Sequence, residues 1–115
     1  LDLKTSLLED ISLLKKEHFS VAIITKDDSE SEKVYELLKN DVKDINILNS
    51  NTKNFNKKMV IIPSYIAKGL EFDSVIIYTE KENSYKQDEK YLYYVACTRA
   101  QHQLIIYNNH IDFFQ

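Results

Sequence analysis

The 115 residues of this chain include one arginine and one glycine, and each lies inside a short block of chemistry-bearing residues. Gly69 belongs to AKGLEFDSVIIY, Ala67 to Tyr78, and Arg99 belongs to YLYYVACTRA, Tyr91 to Ala100. Fourteen lysines carry the remaining permanent positive charge, so the single guanidinium stands out against a lysine background. Arginine differs from lysine physically: its planar fork grips two phosphate oxygens at once and keeps its proton at any working pH. Arg99 is therefore a candidate anion ligand. The alternative is an arginine that snorkels to water or pairs with a core-edge carboxylate such as Asp73. Gly69 follows a short helical turn, where glycine commonly supplies a positive φ at a helix end. Glu71 and Asp73 flank the start of a strand, a place where carboxylates are often solvated or capping. Cys97 suits a small core position better than a nucleophile. His18, His102 and His110 have neither the spacing of a metal pair nor that of a catalytic triad, and no metal site is expected.

The elements that would hold these residues alternate between helix and strand. Leu3, Leu7, Leu8, Ile11 and Leu14 recur at helical spacing, which predicts an amphipathic helix over residues 3–17. Val21 to Ile24 is a short apolar run followed by turn-prone residues. Ser29 is expected to cap the next helix, with Glu32 in the capping-box position and Val34, Leu37 and Leu38 as its apolar stripe. Ile45 to Leu48, Met59 to Ile62, Val75 to Tyr78 and Leu104 to Tyr107 read as further strands. Asn46 to Asn56 holds five asparagines and reads mostly as loop. Lys90 to Ala100 has a helical pattern that puts Arg99 on the same stripe as Leu92, Val95 and Ala96. Short, unalternating, β-branched runs separated by helices predict a parallel sheet buried on both faces, in one α/β layered domain over residues 1–115. The helix in residues 1–18 is expected to pack on that domain. Ligands of such sheets bind at the carboxyl ends of the strands, so the loops after Ile24, Ile62 and Tyr78 are expected to form one rim.

Composition narrows the function classes. A hydrophobic fraction of 43% with 29% charged residues is ordinary for a soluble domain. The longest apolar run, Tyr91 to Cys97, is too short to cross a bilayer, so no membrane association is expected. A lone cysteine excludes an internal disulfide and fits a cytoplasmic protein. A net charge of −3 argues against a freestanding nucleic-acid binder, leaving room only for local contacts. The chain does not begin with methionine and reads as a segment of something longer.

Taken together, the two blocks resemble motifs V and VI of the UvrD/Rep-like superfamily 1 helicases. AKGLEFDSVIIY is similar to motif V and YLYYVACTRAQHQLIIY to motif VI. VAIITKDDSESEKVYELL, Val21 to Leu38, is similar to the motif IV strand and the helix after it. The resemblance covers nearly all of the chain from about residue 20, is closest to the HelD-like branch, and implies the second, carboxyl-terminal RecA-like domain of such a protein. It implies that Arg99 reaches across an interdomain cleft to the γ-phosphate of ATP bound by an N-terminal RecA-like domain. It further implies that Glu71 accepts from the ribose, that Gly69 and Lys68 adjoin the phosphates, and that Tyr94 and Thr98 position Arg99. Lys26 stands where many relatives have an arginine, and Tyr65 stands where the family usually has a histidine associated with single-stranded DNA. Ser64 falls beside it on the nucleic-acid side. The implied cofactors are ATP and Mg2+, and the implied partners are the N-terminal RecA-like domain and single-stranded or duplex DNA.

One glycine cannot build a Walker A loop, which needs glycines at both ends, and no magnesium-binding DExx strand is evident. The segment by itself is therefore expected not to hydrolyse ATP. A helicase-like module that docks on RNA polymerase and couples turnover to its release is the alternative function. A signalling receiver, suggested by Asp27-Asp28 after a strand, lacks the further aspartate its chemistry requires, since the middle runs end in asparagine and proline.

Overall fold

Residues 3–49, 58–79 and 89–107 are described by a computed structural model of the chain, and within them the β-branched runs become strands of one sheet. The elements follow as α1 (Leu3–Glu17), β1 (Val21–Thr25), α2 (Asp28–Leu38), β2 (Asn46–Ile47), β3 (Met59–Pro63), α3 (Ser64–Ala67), β4 (Phe72–Tyr78), α4 (Lys90–Cys97) and β5 (Ala100–Tyr107). The strand order is β2-β3-β1-β4-β5, and every pairing is parallel. β1, the strand most enclosed by neighbours, is buried along its whole length, as is β3.

Alternation along the strands divides the core in two. Val21 and Ile23 of β1, Met59 and Ile61 of β3, and Ile76 and Tyr78 of β4 meet Leu7, Ile11 and Leu14 of α1 and Val34 and Leu38 of α2. On the other face, Ala22, Ile24, Val60, Ile62, Val75 and Ile77 meet Ala67 of α3 and Tyr93 and Ala96 of α4. The result is a three-layer, RecA-like α/β domain with helices on both faces of an all-parallel sheet, as continuous apolar strands demand. Tyr107, at the end of β5, donates a hydrogen bond to Asp10 of α1 and fastens the outer strand to the helical layer. Among the described residues, no helix is long and apolar enough to cross a membrane.

Three expectations need correction. The cap of α2 is Asp27, whose side chain accepts from the Glu30 amide at 3.0 Å, and Glu30 in turn accepts from the Lys26 amide at 2.9 Å. This reciprocal pair sits two residues earlier than Ser29 and Glu32, because Asp27, Asp28 and Ser29 all have capping chemistry and the chain uses the first. β2 is only Asn46–Ile47, since no other residue of Ile45 to Leu48 pairs with β3 as a strand. α4 stops at Cys97, so Arg99 is not a helical residue. Ala100 pairs with Phe72 at the start of β4, and the Phe72 amide donates to the Arg99 carbonyl at 2.9 Å, which draws the chain out of the helix. Of the asparagine-rich stretch, residues 50–56 lie outside the described residues, and so does His110.

Replacing Asp27 with alanine removes the acceptor for the Glu30 amide, and the expected cost is about 1 kcal/mol of unfolding free energy. Urea denaturation of the domain measures it. A Ser29→Ala variant is the control and is expected to shift the midpoint by much less.

Candidate functional site

Two clusters of candidate residues lie at opposite ends of the strands. Lys26, Ser64 and Tyr65 follow the carboxyl ends of β1 and β3, where Thr25 pairs with Pro63. From there α2 packs on one face of the sheet and α3 on the other, so a crevice opens between adjacent strands. The crevice is closed by its own hydrogen bonds. The Ser64 hydroxyl, fully buried, donates to the Lys26 carbonyl at 3.0 Å, and the Tyr65 hydroxyl donates to Asp28 at 2.7 Å. The Lys26 ammonium pairs with Glu89 at 3.1 Å. Asp28 and Glu30 occupy the first turn of α2, so that helix end is already supplied with negative charge and disfavours an anion. Of the expected rim, the segment beyond Thr79 falls outside the described residues.

The second cluster gathers Gly69, Glu71, Thr98 and Arg99 at the amino ends of β4 and β5. Ala67 to Leu70 forms a type II turn: Lys68 has φ −58° and ψ 128°, Gly69 has φ +86°, and the Leu70 amide returns to the Ala67 carbonyl at 3.0 Å. That positive φ is what the only glycine provides. A Cβ at Gly69 would meet nothing within 4 Å, so the turn faces open space.

Arg99 is held by oxygen atoms that carry no formal charge. Its Nε donates to the Val95 carbonyl at 3.1 Å, Nη1 to the Leu70 carbonyl at 3.3 Å, and Nη2 to the Thr98 hydroxyl at 3.1 Å. Val95 lies in the last turn of α4 and its carbonyl also accepts from the Thr98 amide at 3.1 Å, so the guanidinium adds positive charge to the negative end of the helix. Asp73, the carboxylate that sequence offered as a partner, is engaged elsewhere: it accepts from the Ser20 amide at 3.0 Å while its own amide donates to the Ser20 hydroxyl at 2.9 Å. Among the described residues, no carboxylate forms an ion pair with Arg99. The side chain is partly exposed, and three of its five N–H groups are used by these bonds. Among the described residues, what remains is a fixed cation with no charge partner and with donors for an anion.

The surrounding residues complete the picture. Thr98 donates to the Val95 carbonyl at 2.8 Å and accepts from Arg99, so it braces the guanidinium. Tyr94 is 61% exposed on the outer side of α4 with Tyr91. Glu71 is exposed and accepts from Gln101 at 2.7 Å. Gln101 was not singled out from sequence; the signal for it was its place in the motif VI-like block, two residues after Arg99. Cys97 faces Tyr93, and burial pushes its thiol above the usual range, as it does the Tyr93 phenol. His18 and His102 stack with ring centroids 5.8 Å apart, and no group of three metal-ligating side chains occurs among the described residues.

An all-parallel five-stranded sheet with helices on both faces defines the class of RecA-like α/β domains. Residues 7–110 match the family model of the UvrD-like helicase C-terminal domain, and the chain belongs to that family. The fold is also similar to the crystal structure of the C-terminal domain of a possible DNA helicase from Lactobacillus plantarum, with a TM-score of 0.76 and 29% sequence identity. That likeness covers 90% of this chain and 64% of the solved one, so the chain spans less than two-thirds of its solved relative. No curated protein matches it.

Two outcomes test the local chemistry. Gly69→Ala forces a side chain into a left-handed conformation and is expected to destabilise the domain by about 1–2 kcal/mol in denaturant unfolding. Cys97 stays a thiol near pH 8, so iodoacetamide should alkylate it at least roughly tenfold more slowly than free cysteine. Its raised folded value makes the thiol stabilising below the ordinary 9.0 and progressively less so as pH climbs beyond that. Alkylation at the rate of free cysteine would contradict the burial assigned to it.

Proposed function

We propose that this domain is the C-terminal motor half of an ATP-dependent DNA helicase or translocase. In this reading Arg99 extends to the terminal phosphate of ATP held by an N-terminal RecA-like domain of the same protein. The observation that carries the reading is the electrostatic state of Arg99: a rigidly placed guanidinium, bound to carbonyl and hydroxyl oxygens, with no carboxylate among the described residues to neutralise it. Leaving such a charge partly buried and unpaired is costly unless an anion comes to it.

The described residues fit a phosphate at this point. The fork of Arg99 would take phosphate oxygens, the open turn at Lys68 and Gly69 leaves room beside it, and Glu71 would accept from a ribose hydroxyl. Mg2+, when bound, supplies charge neutralisation at the phosphates and would be held mainly by the other RecA-like domain. Arg99 contributes a donor aimed where negative charge grows as the phosphoryl group transfers, with its orientation fixed beforehand by Val95, Leu70 and Thr98. Lys26 lies at the other end of the strands, and a nucleotide role for it requires release from Glu89. At that end Tyr65, 46% exposed, offers a ring face on which a base of single-stranded DNA would stack.

In the full-length protein, Arg99→Ala is expected to lower ATP turnover by about 10³-fold or more, equivalent to roughly 4 kcal/mol or above. Arg99→Lys keeps the charge without the fork and is expected to recover little. Far-UV circular dichroism of both variants separates this loss from unfolding. Turnover unchanged in a folded alanine variant removes Arg99 from the mechanism. A strand-separation assay beside an RNA polymerase pull-down distinguishes a DNA motor from a polymerase-recycling module.

A further inference from the structure

Three contacts tie the segment before β4 to the segment before β5. Arg99 Nη1 donates to the Leu70 carbonyl at 3.3 Å, the Phe72 amide donates to the Arg99 carbonyl at 2.9 Å, and Gln101 Nε2 donates to Glu71 Oε2 at 2.7 Å. The second is between backbone groups and would survive most sequence changes at these positions, whereas the first needs the Arg99 guanidinium. The third is between two side chains and depends on residue 101 being a donor of the right length.

The strand geometry explains how Gln101 reaches Glu71. β4 and β5 pair Phe72 with Ala100 and Ser74 with Gln103, so the register shifts by one residue between them. Gln101 and His102 together stand opposite the single residue Asp73. Such irregularities recur beside functional sites because they re-aim a side chain that regular pleating would send elsewhere. Here the opposing strand is held by Ser20, which exchanges hydrogen bonds with Asp73 and accepts from Ser74. β4 is thereby anchored to β1, and the slip falls on β5. An exposed glutamate on its own samples several rotamers. One oxygen fixed by an amide donor restricts it and leaves the second oxygen pointing in a defined direction.

We infer that Gln101 is a positioning residue for nucleotide selection, holding Glu71 so that its second carboxylate oxygen meets a ribose hydroxyl. This inference rests on the proposed role of Glu71 as the ribose acceptor. Gln101 itself touches no nucleotide; it acts through Glu71, and removing it costs orientation and leaves the transferring phosphoryl group undisturbed. The chemical class it favours is a ribonucleotide over its deoxy analogues.

Steady-state ATP hydrolysis by the full-length protein, with ATP, 2′-deoxy-ATP and 3′-deoxy-ATP as substrates, tests it. Gln101→Ala is expected to raise KM for ATP roughly three- to tenfold, the net worth of one ordinary hydrogen bond, while kcat stays within about twofold. The preference for ATP over whichever deoxy analogue is disfavoured should shrink by a similar factor. Gln101→Glu has the same shape but sets an acceptor against an acceptor, and its effect should exceed that of alanine. In a Glu71→Ala background, Gln101→Ala should add nothing further. If Glu71→Ala abolishes the discrimination while Gln101→Ala leaves KM and discrimination unchanged, the positioning role is overturned. So is it if Gln101→Ala lowers kcat equally for all three substrates. If Glu71→Ala changes neither KM nor discrimination, the ribose reading of Glu71 fails first and takes this inference with it.

Discussion

Helix α4 and strand β5 meet with only Thr98 and Arg99 between them, and the guanidinium of Arg99 closes the junction. It donates back into the last turn of the helix at Val95 and across to Leu70 at the approach to β4. One side chain thus terminates a helix and joins two consecutive crossover segments, and among the described residues only neutral oxygens hold it. A salt bridge would have given similar rigidity while cancelling the charge. The choice of carbonyls over a carboxylate is what makes a structural residue available for chemistry.

The sheet supplies the rigid frame for that arrangement. β1, buried from end to end, lies between β3 and β4, and the two core layers lock α4 against the face opposite α1 and α2. The carboxyl-end crevice, the usual ligand position in such sheets, is filled by contacts among Lys26, Ser64, Tyr65, Asp28 and Glu89. Along β4, Phe72 to Tyr78 spans about 20 Å, so that crevice and Arg99 are separate places on the domain. Under the proposed function the domain offers its amino-end cluster to a nucleotide carried by a neighbour and leaves base contacts to Tyr65 at the far end. The −3 net charge agrees with nucleic-acid contact confined to a local patch.

Much of this architecture was legible in the residues themselves. Val21 to Ile24 and Met59 to Ile62 could be read as buried strands because β-branched runs without polar alternation have few other uses, and α1 followed from its leucine spacing. The end of α4 was not legible. Tyr91 to Ala100 contains no glycine or proline to stop a helix, and the stop comes from the pairing of Ala100 with Phe72, which lies 28 residues earlier. The partner of Arg99 was hidden for the same reason: Asp73 is near in sequence pattern, but Ser20, just before the neighbouring strand, has already claimed it. Gln101 lies inside the motif VI-like block, but its role depends on a register slip that only paired strands reveal. Local signals specified the elements, and long-range hydrogen bonds specified the site.

The most direct measurement is a crystal structure of the full-length protein with a non-hydrolysable ATP analogue and Mg2+. The account predicts the Arg99 guanidinium at about 3 Å from a terminal phosphate oxygen, with its bonds to the Val95 and Leu70 carbonyls intact. A nucleotide bound by the neighbouring domain with Arg99 turned away from it, or paired instead with a carboxylate of that domain, would contradict it.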